Sequence, residues 1–165
     1  MSTETTDSKT WDVLATVEKW HNAADRKAGL PPDEVVEEKD NILLNAGITV
    51  LLTLLCGISS TAYSTGNAYI GVGDSTTAAA AGQTALQASS NKDYQGMESG
   101  YPSVSGQTVT FRSIWASSEG NFAWNEWTVA NGSSDSATNL NRKVAALGTK
   151  AGGSEWTLTV AITVS

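Results

Sequence analysis

The most regular segment of the chain is its last one, Trp156-Thr-Leu-Thr-Val-Ala-Ile-Thr-Val-Ser165. Apolar side chains recur at every second position and small or hydroxyl side chains fill the positions between them, as in a β-strand with one buried face. Such a strand needs partners for its backbone, so we expect it to lie within a sheet. The residues expected in the core are Trp156, Leu158, Val160 and Ile162.

Several earlier segments also have the composition of strands and are separated by turns rich in Gly, Asn, Asp and Ser. The predicted strands are Tyr69–Val72, Asp93–Met97, Thr108–Trp115, Phe122–Val129 and Leu140–Leu147. Because no helices alternate with them, we predict an antiparallel β-sandwich over residues 67–165. With the helices predicted below, the fold class is α+β, mainly β.

The composition changes across the stretch Asn67–Gln87, which separates helical patterns from β patterns. Gly71 and Gly73 permit either close backbone packing or a positive φ angle. They begin like a dinucleotide-binding fingerprint, but neither the third glycine nor a Gly-Lys-Ser/Thr sequence follows. We therefore interpret Asp74–Thr77 as a turn and predict no nucleotide site.

The first forty residues are interpreted as an arm that docks on a partner. Residues 1–9 are polar and acidic, and they are expected to be disordered in isolation. A helix is predicted over Trp11–Lys27, with Thr10 as its N-cap. Its apolar stripe consists of Trp11, Leu14, Val17, Trp20 and Ala24. This stripe needs a covering partner.

A second helix is predicted from Asp33 onward and through Asn41–Cys56, and residues 41–66 are interpreted as a buried helix followed by a linker. The apolar stretch is short for a membrane span, and polar residues at a spacing of four cross it. Cys56 is the only cysteine and is interpreted as a small buried hydrophobe, so an intrachain disulfide is excluded.

The charge of the chain bears on its partners. Its formal net charge of −7 argues against binding to nucleic acid, which requires Lys and Arg at the phosphates. No motif indicates a metal or a cofactor, and the N-terminus lacks the pattern of a secretory signal. We expect synthesis and assembly in a cytoplasm, with no membrane partner.

Candidate catalytic groups are few. His21 is the single histidine, and no nucleophile is marked for it. Glu119 and Glu126 flank a strand rich in tryptophan, so a site that binds or cleaves sugars remains an alternative. Tryptophans of a small β-domain more often fill a core or an interface. The sequence therefore favours a protein that is not an enzyme.

Five segments together resemble small virion structural proteins of tailed bacteriophages, over residues 41–165. These segments are Leu43-Leu-Asn-Ala-Gly-Ile48, Asn67–Gln87, Phe111–Gly132, Leu140–Lys150 and Trp156-Thr-Leu-Thr-Val160. The resemblance implies a component of the phage particle without known catalytic residues. It leaves open whether the protein belongs to the head, the neck or the tail.

On this basis we expect a homo-oligomer in the virion that binds the major capsid, neck or tail protein. The first expectation is a decoration or stabilising protein on the head lattice. The alternative is a structural protein of the neck or tail, associated with collar, baseplate or fibre and able to bind glycans. The residues predicted to bind the partner are Trp11, Leu14, Trp20 and Trp127, since aromatic residues are enriched in interfaces.

Overall fold

A computed structural model describes residues 10–165, and two antiparallel sheets of five strands make up most of it. The elements in the first half of the chain are β1 (Trp11–Trp20), α1 (Ala23–Lys27), β2 (Glu34–Lys39), β3 (Ile42–Leu43), α2 (Asn45–Leu55) and β4 (Tyr69–Gly73). Those in the second half are β5 (Lys92–Gly96), β6 (Ser103–Ser105), β7 (Thr108–Trp115), β8 (Ala123–Ala130), β9 (Asn141–Thr149) and β10 (Glu155–Val164).

The first sheet has the strand order β2-β1-β10-β7-β6, and the second has the order β3-β9-β8-β4-β5. The apolar faces of both sheets contribute to one core, for example Val17 and Leu158 from the first sheet and Ile70 and Val129 from the second. The mainly β class with two antiparallel sheets is therefore confirmed, but β1, β2 and β3 also belong to these sheets, outside the predicted bounds of 67–165.

The final strand has the predicted orientation. Trp156, Leu158, Val160 and Ile162 of β10 are all buried, because β1 and β7 pair with this strand on its two sides. The other predicted strands of residues 67–165 are also present, with boundaries shifted by at most two residues. Between the predicted strands Asp93–Met97 and Thr108–Trp115, the structure adds the short edge strand β6.

Three tryptophans meet at one end of the core. The ring of Trp124 lies 4.7 Å from that of Trp115 and 5.0 Å from that of Trp156, with edge-to-face geometry in both pairs. A bulge in β8 between Trp124 and Glu126 changes the alternation of this strand. As a result Trp124 and Trp127 both contribute to the core.

The helix predicted over Trp11–Lys27 is wrong for most of its length. Residues 11–20 form β1, which pairs with β2 on one side and β10 on the other. Val13, Ala15 and Val17 alternate into the core, and only Ala23–Lys27 is helical. Since β1 is an inner strand of the first sheet, residues 10–40 are part of the sandwich and not a separate arm. The polar tail predicted at residues 1–9 lies outside the described residues.

The second predicted helix is divided. The acidic segment from Asp33 forms the edge strand β2 instead, with Val36 against the core and the charged Glu34 and Glu37 exposed. Charged side chains of this kind protect a sheet edge from unwanted pairing. Only α2 is helical, and Gly47 is its one buried residue. The prediction of a buried helix over residues 41–56 is therefore wrong in its burial.

Glycines at the centre of the stretch Asn67–Gln87 allow close packing. A Cβ atom on Gly71 would lie 2.6 Å from the Tyr94 ring, and one on Gly73 would lie 2.5 Å from Glu126 Oε1. Both residues belong to β4, which pairs with β5 and β8. Of the two alternatives given by the sequence, close approach is the one that the structure shows.

Candidate functional site

The first turn of α2 is fixed to the body by its backbone. Leu44 N–H donates to the carbonyl of Leu140 at 3.0 Å, and Asn45 N–H donates to that of Ala81 at 2.9 Å. A Cβ atom on Gly47 would lie 2.6 Å from both Cα and O of Leu140. Only glycine permits this approach, so the N-terminal half of the helix has a defined position on the second sheet.

Large apolar side chains of α2 and the following loop remain exposed. Ile48, Leu52 and Leu55 recur at i, i+4 and i+7, and therefore lie along one side of the helix. Their exposed fractions are 38%, 57% and 82%, and that of Ile58 is 60%. We call these four residues the α2 ridge. Scattered exposed apolar residues are ordinary, but a contiguous row on a helix is typical of a binding surface.

Two threonines border the ridge, and their hydroxyl groups already have acceptors. Thr49 Oγ1 donates to the carbonyl of Asn45 at 3.0 Å, and Thr53 Oγ1 donates to that of Thr49 at 2.7 Å. Two residues of the polar line noted in the sequence, Thr49 and Thr53, thus have their hydroxyl donors satisfied within the helix. Another protein can cover this face without leaving these hydroxyl donors unpaired.

The ridge belongs to a segment of the sequence that contains no charged residue. Between Asp40 and Asp74 the chain contains no Asp, Glu, Lys, Arg or His, although the whole chain has a net charge of −7. Cys56, predicted to be buried, is exposed beside the ridge because it follows the last turn of α2. The prediction of a buried cysteine is therefore wrong.

The four residues predicted to bind a partner do not form one surface. Trp127 is fully buried in the core, and Trp20 is buried with its Nε1–H donating to the carbonyl of Leu30 at 2.9 Å. Trp11 is half-buried and packs against the core. Leu14 is exposed to 36% on the other face of β1. Because β1 is a strand, side chains that a helix would align point to opposite faces.

Leu14 borders a shallow concavity of about 380 Å³ on the outer face of the first sheet. Asp12 and Lys39 lie at its polar side, and Ala161 and Thr163 of β10 form its floor. Of the four predicted residues, Leu14 is thus the one that offers an exposed apolar contact.

The two carboxylates considered for sugar chemistry have separate structural roles. Glu119 accepts a hydrogen bond from Ala116 N–H at 2.8 Å within its own turn. Glu126 is fully buried and lies 2.6 Å from both Nε and Nη2 of Arg142. The geometry therefore gives no support to a catalytic pair made of Glu119 and Glu126.

Glu126 and Arg142 instead hold the segment that follows β4. The carboxylate accepts hydrogen bonds from Gln87 N–H and Ala88 N–H, at 3.0 and 2.8 Å. The guanidinium donates to Gln83 Oε1 and to the carbonyl of Thr77, both at 2.9 Å. Sequence reasoning missed this pair, although one charge inside an aromatic strand signals a buried partner.

Three titratable groups have shifted pKa values because they are buried. Burial raises the pKa of Tyr63, whose hydroxyl donates to the carbonyl of Thr138 at 3.2 Å. Burial, and then the hydrogen bond to Asp135, raise the pKa of Tyr94. Burial lowers the pKa of Lys150. Each of these groups makes structural hydrogen bonds.

Other candidate sites are weaker. His21 is exposed in the turn after β1, not on a helix as predicted. Within residues 10–165, no three His, Cys, Asp or Glu side chains are grouped to hold a metal ion. Neither described helix has the length and apolarity needed to cross a bilayer.

A polar cavity of about 430 Å³ lies between the loop before β4 and the loop after β8. Its lining is rich in hydroxyl groups, including those of Ser60, Thr61 and Ser133. The Asn131 side chain is committed to the fold, because its amide donates to the carbonyl of Thr61 at 2.7 Å and accepts from Thr138 N–H at 2.8 Å. None of the described residues that line this cavity is aromatic, so none of them offers a ring on which a sugar could stack.

Comparison with protein-family models, with curated proteins and with solved structures gave no significant match to this chain.

Proposed function

We propose that this protein is a non-enzymatic structural component of a tailed-bacteriophage particle, and that it decorates or stabilises the head lattice. The alternative place is the neck or the tail. The sequence support is the resemblance over residues 41–165. The structural support is a body of two packed sheets that presents the apolar α2 ridge to its surroundings.

The α2 ridge is the observation on which the proposal depends. A helix that is apolar on the side facing the body and also on its outer side has the composition of a buried element. The single chain covers Gly47 and part of Leu51 but leaves Leu52 and Leu55 exposed. Contact with another subunit would bury these side chains, as expected of a protein that functions within an assembly.

The segments that carry the resemblance are also those that build the sandwich. Asn67–Gln87 contains β4 and much of the segment held by Arg142, while Leu140–Lys150 contains β9 and Arg142 itself. Phe111–Gly132 contains Glu126 and most of the tryptophan cluster. The resemblance thus concerns residues that determine packing, which favours a shared fold with the virion proteins.

Glycan binding belongs to the alternative role in the tail. The hydroxyl-rich cavity between Ser60 and Asn131 is the feature that would serve it. The absence of a stacking aromatic from its lining makes the head role the better supported of the two.

Labelling of purified particles tests the proposal. Val104 is 76% exposed on the edge strand β6, in the sheet that does not carry α2, so a cysteine there can bear a gold label. A chain with Val104→Cys and Cys56→Ser is expected to label the whole head surface in electron micrographs. A ring at the neck or label along the tail would support the alternative role. Particles that carry no label, with the untagged protein also undetected, would refute a virion role.

A further inference from the structure

We propose that the α2 ridge is covered by the α2 ridge of a second copy of this chain, with the two helices antiparallel across a two-fold axis. The inference deepens the proposed function, because it names the partner that covers this face. It can be tested without any phage particle.

The spacing of the ridge residues suits pairing with itself. Ile48, Leu52 and Leu55 lie on one side of an 11-residue helix, which is about 16 Å long at 1.5 Å per residue. Leu52 lies near the middle of this row. In an antiparallel pair each Leu52 lies close to the axis, and Ile48 of each copy faces Leu55 of the other. A two-fold interface requires this kind of self-complementary pattern.

The distribution of charge favours the α2 ridge over other faces of the chain as the place where two copies meet. Two copies with a net charge of −7 repel each other, and an edge such as β2, with Glu34 and Glu37 exposed, would bring like charges together. The segment between Asp40 and Asp74 is uncharged. The α2 ridge and the segment that contains it therefore bring no ionised group of their own into a contact between two copies.

The side chains around the ridge tolerate being covered. The hydroxyl groups of Thr49 and Thr53 donate to carbonyls of their own helix, so their removal from water leaves no unpaired hydroxyl donor. Gly47 allows α2 to pack closely against the backbone of Leu140, which fixes the position of the helix. A partner can therefore bind to the ridge as it stands in the single chain.

Residues 1–9 have an unsuitable composition for covering this face. Residues 1–9, Met-Ser-Thr-Glu-Thr-Thr-Asp-Ser-Lys, contain one apolar side chain, that of Met1. A polar segment with this composition cannot replace water over four aliphatic side chains.

The first test is the mass of the purified full chain by sedimentation velocity over a range of concentrations. We expect a reversible species of twice the 17.2 kDa of one chain. Leu52→Asp and Leu55→Asp should each halve the mass and leave the near-ultraviolet circular dichroism unchanged, because both side chains are exposed. The matched control is Val104→Asp, an exposed apolar residue on the other sheet, which should remain dimeric.

A crosslinking test determines the orientation of the helices. In a chain with Cys56→Ser and Leu52→Cys, oxidation should join two copies, because both cysteines lie near the axis. The wild-type Cys56 lies at the end of α2 and should not crosslink, since the antiparallel arrangement places the two Cys56 residues at opposite ends. Crosslinking through Cys56 and not through position 52 would refute the antiparallel pairing.

Other outcomes separate this inference from the proposed function. A wild-type chain that stays monomeric, or a Leu52→Asp dimer, would overturn the inference, and a species of three or more copies would overturn the two-fold pairing. If such a chain still labels particles, the virion role stands without the dimer. If the dimer forms as expected but no particle carries the protein, the dimer stands and the virion role fails.

Discussion

Neutralising Glu126 should be among the most damaging single changes in this chain. Glu126→Gln keeps the size of the side chain but removes the charge that faces Arg142, which is itself fully buried. The guanidinium then faces only neutral acceptors, among them Gln83 Oε1 and the carbonyl of Thr77. In either orientation the new NH2 group faces N–H donors, which are those of Gln87 and Ala88 or those of Arg142.

The magnitude follows from the burial of the pair. Removing one member of a buried ion pair costs about 3 to 5 kcal/mol, because the other charge is left uncompensated. The two neutral acceptors of Arg142 place Glu126→Gln near the lower end, at about 3 kcal/mol. Urea unfolding followed by tryptophan fluorescence measures this loss, since the core contains Trp127 beside Glu126. Hydrogen exchange should also show earlier opening at Gln87 and Ala88.

Two further variants test the reasoning. Glu37→Gln is the matched control, because Glu37 is exposed on the edge strand β2, and it should change the free energy of unfolding by about 0.5 kcal/mol or less. The double variant Glu126→Gln with Arg142→Met should lose clearly less than the sum of the two single losses. A loss below about 1 kcal/mol for Glu126→Gln, or strict additivity in the double variant, would refute the assignment of a coupled buried pair.

Three other predictions concern the position of α2, the loss of stability at alkaline pH and the role of β1. Gly47→Ala should displace α2, because the new Cβ would lie 2.6 Å from backbone atoms of Leu140. The free energy of unfolding should fall by about 1 to 3 kcal/mol. Gly66→Ala serves as the control, because a Cβ at that position has no neighbour within 4 Å. Tyr94 keeps its proton in the folded chain above the ordinary pKa of 10.0, while the unfolded chain loses it, so stability should fall as the pH rises past 10.0. Tyr94→Phe should flatten that fall in urea titrations, and an unchanged slope would contradict it. Deleting residues 1–20 should abolish folding, since β1 is hydrogen-bonded on both sides; a soluble, cooperatively unfolding product would disprove this role.

The strands of the second half could be predicted because local patterning and tertiary environment agree there. In β10 every second residue is apolar, and the neighbouring strands bury that same face. The tryptophans of β8 lie in the core, which is one of the two places that their pattern indicates, so Trp127 offers no surface to a partner. Their common direction depends on the bulge before Glu126, which the sequence does not indicate.

The first strand could not be predicted because two periodicities compete in it. Trp11, Leu14, Val17 and Trp20 fit a helix, while Val13, Ala15 and Val17 fit a strand. Residues 11–20 form a strand because they pair with β10, which lies far away in the sequence, and with the charged strand β2. Tertiary pairing therefore overrides the local preference.

The candidate site was only half predictable. The apolar composition of α2 correctly indicated a helix, but its burial depends on what lies opposite, and one chain covers only the side near Gly47. The missing charges between Asp40 and Asp74 are the sequence signal for the exposed face. That signal distinguishes an interface from a core only when the fold is known.

The pairing of β1 with β10 has a mechanical consequence. Thr10 and Ser165 exchange two backbone hydrogen bonds, at 2.7 and 3.1 Å, so both ends of the described chain lie side by side, next to two inner strands of the first sheet. In an antiparallel ladder these bonds run perpendicular to the strands. A load that pulls Thr10 and Ser165 apart would therefore break the hydrogen bonds between β1 and β10 one after another, starting from this end. A load applied between α2 and either end would instead act across the packed faces of the two sheets, because α2 is fixed beside the second sheet at Leu140 and both ends belong to the first.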